Sequence, residues 1–93
     1  MSDEGIKRLE EVIGEASAII KRSPGNNFVL NELATAHLDL GAFLLRRRPR
    51  DAEGCQHLAE GWQAWNRLAQ RAEIPAESGR SRARFEKLLA DCR

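Results

Sequence analysis

The stretch Asn27-Phe28-Val29-Leu30-Asn31-Glu32-Leu33-Ala34-Thr35-Ala36-His37-Leu38-Asp39-Leu40-Gly41-Ala42-Phe43-Leu44-Leu45-Arg46-Arg47 decides the fold. Read at helical period, Val29, Leu30, Leu33, Ala34, Ala36, Leu38, Leu40, Ala42, Phe43, Leu44 and Leu45 cover well over half of the circumference. A helix that is apolar on most sides must be covered on most sides. The segment is therefore predicted to be the central element, packed on two flanks by neighbours or by a partner chain. Asn26 or Asn27 is placed to cap its start, and Pro49 to end it. Arg46, Arg47 and Arg48 fall in the last turn, where cations suit the negative end of the helix dipole.

Working outward, the residues before it read as an amphipathic helix over 3–22. Ile6, Leu9, Val12, Ile13, Ala16, Ile19 and Ile20 keep the three-four spacing of one face. Ser2 is the expected N-cap, Asp3 and Glu4 complement the positive helix start, and Ser23-Pro24-Gly25-Asn26-Asn27 breaks the helix. On the other side, a third helix is predicted over 51–73 with Asp51 as its cap. Its stripe is Cys55, Leu58, Trp62, Trp65, Leu68 and Ala69. Gly54 and Gly61 lie inside it, a choice that persists where a neighbouring backbone must come close. A fourth helix over 76–92 opens near Pro75 and presents Ala83, Phe85, Leu88, Leu89 and Cys92, with Gly79 and Ser81 weakening its first half. No stretch alternates with period two, so no strand is expected.

Composition agrees with a folded chain. Ninety-three residues, 42% hydrophobic and 31% charged, suit one domain over 1–93, and the net charge of +1 gives no overall pull toward DNA or an anionic membrane. A chain of this size buries about 60–65% of its unfolded surface. No uninterrupted apolar run approaches the length of a membrane span, and Met1-Ser2-Asp3-Glu4 lacks the pattern of a signal peptide. The expectation is a cytoplasmic protein with no membrane association, whose Cys55 and Cys92 stay reduced in the apolar stripes.

The chain also matches itself. Shifted by 49 positions, Glu4-Gly5 meets Glu53-Gly54, Leu9 meets Leu58, Glu11 meets Glu60, Ile13 meets Trp62, Ile19 meets Leu68 and Arg22 meets Arg71. Helices one and three thus read as copies of one element, and helices two and four, more faintly, as copies of another. With Leu40-Gly41 followed by Leu44, then Gly54, Leu58, Gly61 and Trp62, the stretch from Pro24 to Pro75 resembles the tetratricopeptide repeat family, in particular the longer-helix repeats found beside bacterial signalling domains. Departures are His37 where an aromatic is usual, an extra residue in the turn Arg48-Pro49-Arg50, and a fourth helix with no Leu-Gly pair.

The resemblance implies an all-α fold of four antiparallel helices, stacked as two hairpins in a short solenoid or bundle. It also implies a protein or peptide partner on a concave surface carrying Thr35, Leu38, Ala42, Leu45 and Arg46. The competing expectation is that Leu38 and Leu45 are simply covered by the fourth helix. Charge is uneven along the chain: residues 1–20 have a net charge of −3, residues 46–50 hold four arginines, and residues 67–93 have a net charge of +3. Such segments could meet head to tail in a homodimer or select an acidic peptide, although solvated faces explain them as well.

Chemistry is sparse. Cys55 and His57, with His37 as a third group, are the metal candidates considered, but residues two apart on a helix point about 200° apart, so no metal or cofactor is expected. The same geometry disfavours a Cys–His nucleophile, and there is no phosphate loop, nucleophile elbow or metalloprotease motif. Glu10, Glu11 and Glu15 read as solvating carboxylates. The reading is a non-enzymatic interaction module, with a self-assembling helical bundle as the alternative. Nucleic-acid binding through Arg46–Arg50 and the Arg80, Arg82, Arg84 group stands third, because both Trp residues fall on an apolar stripe.

Overall fold

The computed structural model describes residues 2–72 and 76–92, with side chains given to 72 and again from 82. Among these residues there are four α-helices and no strand: α1 (Asp3–Arg22), α2 (Asn27–Arg47), α3 (Ala52–Ala69) and α4 (Ala76–Ala90). The expected end of the third helix at Glu73, Pro75 at the opening of the fourth and the side chain of Arg80 lie outside the described residues. The third helix closes at Ala69, the last residue of its hydrophobic stripe and short of the predicted 73: the Arg71 and Ala72 amides donate to Leu68 O at 3.0 and 2.9 Å and tighten the chain into a turn.

Short polar side chains start three of the helices. Ser2 Oγ accepts from the Gly5 amide at 3.2 Å, Asn26 Oδ1 from Val29 at 3.1 Å and an Asp51 carboxylate oxygen from Gly54 at 2.9 Å. Each satisfies one of the amides that the first helical turn leaves without a partner.

α2 is the hub. It packs most extensively on α3, then on α1, and more lightly on α4. Val29, Leu30, Ala34, Ala36, His37, Leu38, Leu40, Gly41 and Ala42 are all buried. α1 adds Ala16 and Ile20 to the core, α3 adds Leu58, Ala64, Trp65 and Leu68, and α4 adds Phe85. By length and composition α2 could cross a membrane (mean hydropathy 1.3 over its best 18 residues), which the absence of an unbroken apolar run had hidden. In this fold its apolar sides are used against the neighbouring helices.

The α2–α3 seam is close because small residues line it. A Cβ placed on Gly61 would stand 2.7 Å from Leu38 Cγ and 2.9 Å from Ala34 O, and one on Gly41 would stand 2.8 Å from Gly54 O. Trp65 Nε1 donates across the seam to Asn31 Oδ1 at 3.2 Å. The ring of Trp65 also meets Phe85 of α4 edge to face at 6.0 Å, a geometry in which the ring quadrupoles attract.

One expectation is reversed. Cys55 and Cys92 are joined by a disulfide, with Cα atoms 5.9 Å apart. Helix lengths bring the first turn of α3 beside the end of α4, and no reading of either stripe alone could show that the two sulfurs share a location.

Candidate functional site

The five residues expected on a concave surface do not share one. Thr35 and Arg46 are exposed and Leu45 is half-buried, but Ala42 is buried and Leu38 is wholly inaccessible. Leu38 faces α3, its branch point filling the notch left by Gly61. The alternative had α4 covering it; the contact described is with α3. Leu38 and Ala42 are thus core residues and cannot anchor a ligand without the core opening.

Leu45 has a different setting. With Pro49 and Arg50 from the end of α2 and the turn after it, and Leu88 and Asp91 from the end of α4, it lines a cavity of about 460 Å³. Its walls are part apolar and part charged. Arg50 holds φ at 63°, a left-handed conformation that non-glycine residues adopt rarely. Arg46, Arg47 and Arg48, just before it in the chain, are exposed, and Arg47 and Arg48 line a separate recess with Leu44 and Asp51.

A second constellation lies on the α2–α3 seam. His37 Nδ1 is 3.0 Å from His57 Nδ1 and 3.5 Å from Glu60 Oε2. One donor atom from each of the three side chains falls within 4.8 Å of the others. His37 comes from the buried face of α2, while His57 and Glu60 stand three apart on α3 and so share a face. Glu53, one turn before His57, places Oε1 4.0 Å from His57 Nε2. Burial pushes the His37 imidazole below its ordinary value; the Glu60 carboxylate opposes the shift, and the neighbouring His57 adds to it. His37 and Glu60 also line a shallower cavity of about 300 Å³ between α1, α2 and α3, with Ser17, Gln63 and Arg67 among its other walls.

Cys55, considered beside His57 and set aside because the two point apart on one helix, is held in a disulfide. Glu60 was missed. The usable signal was the His57-x-x-Glu60 spacing, which sets an imidazole and a carboxylate side by side on a helix.

The other chemistry-bearing groups have structural partners or face water. Arg82 lies over the Trp62 ring at 5.1 Å and donates to Asn66 Oδ1 at 3.0 Å. Arg47 lies over Phe43 at 5.8 Å. Trp65 is buried, and Glu10, Glu11 and Glu15 are exposed on α1. Comparison of the chain with protein-family models, with curated proteins and with solved structures finds no match.

Proposed function

We propose that the chain is a non-catalytic interaction module that takes a short acidic peptide with an apolar anchor into the cavity at the ends of α2 and α4. The observation that carries this reading is the cavity itself: Leu45 and Leu88 offer apolar contact, and Arg50 supplies positive charge across from the acidic Asp91. An apolar anchor in such a recess provides the energy, and Arg50 fixes the orientation and favours an acidic residue beside it. The left-handed Arg50 fits this role, because strain at a non-glycine residue concentrates at sites that bind.

The tetratricopeptide-like arrangement is part of the same proposal. Its support is the order of contacts along the seam: Gly61 meets Ala34 and Leu38, Gly41 meets Gly54 and Leu58, and Gly54 meets Leu44 and Leu45. As α2 advances, the matching residue of α3 recedes, which is the pattern of a hairpin. On location, the Cys55–Cys92 disulfide favours an oxidising compartment over the cytoplasm that the N-terminus suggested.

Fluorescence anisotropy tests the binding reading with labelled peptides of glutamate and aspartate around one leucine, beside lysine-rich controls. An acidic peptide should bind, lose affinity with added salt, and lose roughly tenfold or more with Leu45→Ser at unchanged helicity. Equal affinity for acidic and basic peptides, or an unaffected Leu45→Ser variant, overturns the proposal.

A second reading, self-assembly into a homodimer, has its own observation. Ile6, Leu9, Val12 and Ile13 on α1 are only partly covered, and Phe28 is 73% exposed. Sedimentation velocity decides it: a strict monomer at tens of micromolar removes this reading.

A further inference from the structure

We propose that His37, His57 and Glu60 bind one divalent transition-metal ion of the zinc class. The proposal is independent of the peptide cavity, which shares none of these residues. Its basis is the distances. Donors about 2.0–2.1 Å from a zinc ion, set between right angles and the tetrahedral angle, stand roughly 2.9–3.4 Å apart. The two Nδ1 atoms are 3.0 Å apart, and His37 Nδ1 lies 3.5 Å from Glu60 Oε2. The three donors lie within 4.8 Å of one another, so the Glu60 carboxylate must swing inward to bring all three onto one centre.

The donors are also well held. His37 rides on the buried face of α2, and His57 and Glu60 on α3, across the seam that Gly41, Gly54 and Gly61 make close. Sites on packed helices keep their geometry better than sites on loops. Glu53 Oε1 stands 4.0 Å from His57 Nε2, and on closing to hydrogen-bond distance it would supply the outer carboxylate that orients a metal-binding imidazole, with the proton on Nε2 and the Nδ1 lone pair free for the ion. Two imidazoles and one carboxylate suit zinc, cobalt, nickel or copper, whereas calcium and magnesium prefer all-oxygen sets. The adjoining cavity, with Ser17, Gln63 and Arg67 on its walls, gives an entry path and room for water as a fourth ligand.

The same 3.0 Å contact has a metal-free explanation: one ring donates its Nδ1–H to the other. The two explanations separate experimentally. The full chain, disulfide intact and stripped with chelator, is titrated calorimetrically with Zn²⁺ and, in parallel, with Co²⁺ followed by its visible ligand-field bands. One ion per chain is expected. Glu53→Gln should weaken binding about 10–100-fold, and His37→Gln and His57→Gln more than that. Imidazole NMR signals of both histidines in the unaltered protein should shift on Zn²⁺ addition, a readout that survives any variant's failure to fold. Ring signals that stay put at saturating Zn²⁺, no heat at all, or binding that persists undiminished in His57→Gln would overturn the proposal.

Discussion

Gly61 and Gly14 should answer the same substitution with opposite signs. At Gly61 a new Cβ would press on Leu38 Cγ at 2.7 Å and on a backbone oxygen at 2.9 Å, neither of them a free end that can swing away. Overpacking of about 1–3 kcal/mol should outweigh the roughly 1 kcal/mol that alanine gains in helix propensity. At Gly14 nothing lies within 4 Å, so Gly14→Ala should stabilise by about 0.5–1 kcal/mol. Urea midpoints of the two variants, read against the unaltered chain, check both.

His37 sets a pH limit of its own. Its imidazole is pushed below its ordinary value of 6.5, so below that pH the unfolded chain takes up a proton that the folded one resists. Stability should therefore be full above about 6.5 and fall as pH drops toward the lower folded value, with His57 and Glu60 across the seam modulating the slope. His37→Gln, measured by urea unfolding with chelator present, should flatten this part of the profile. At this scale the caps were legible: Ser2, Asn26 and Asp51 each accept the amide three residues on. The histidine pair was not, because the pairing depends on which turn of α2 meets which turn of α3, and hydrophobic periodicity does not carry that register.

Among the helices, α4 is the one most dependent on a covalent tie. Among its described side chains Phe85 is the buried one, with Leu88 and Leu89 only partly buried. The Cys55–Cys92 bond closes 37 residues of sequence separation around it. Constraining the unfolded chain in this way should contribute roughly 4 kcal/mol, lost in the double Cys55→Ser, Cys92→Ser variant or on reduction. Hydrogen exchange should then show α4 amides opening well before those of α2. The hydrophobic stripes of α1 and α3 and the greasy α2 showed where each helix lies, since an amphipathic pattern records which side meets a core. Such a pattern does not name the neighbour. That is why Leu38 was read as a groove residue when Gly61, twenty-three places on, leaves the notch it fills.

For the molecule as a whole, the decisive feature is that α2 touches all three other helices. Its excess of apolar surface, which could equally have signalled a partner chain, is consumed largely within the chain. Among the described residues the apolar surface left open includes the recess around Leu45 and Leu88, Phe28 and the half-covered start of α1. All-α character followed from composition and period alone, whereas the location of these openings depends on how far the helices splay, a property of their packing rather than of any one segment.

The sulfur bridge also fixes how the protein would respond to tension. A pull applied at the two termini travels from residue 55 to residue 92 through the bond, bypassing α4 and most of α3. Single-molecule stretching should accordingly release a tether shorter by roughly 120–130 Å than the same chain stretched under a reductant.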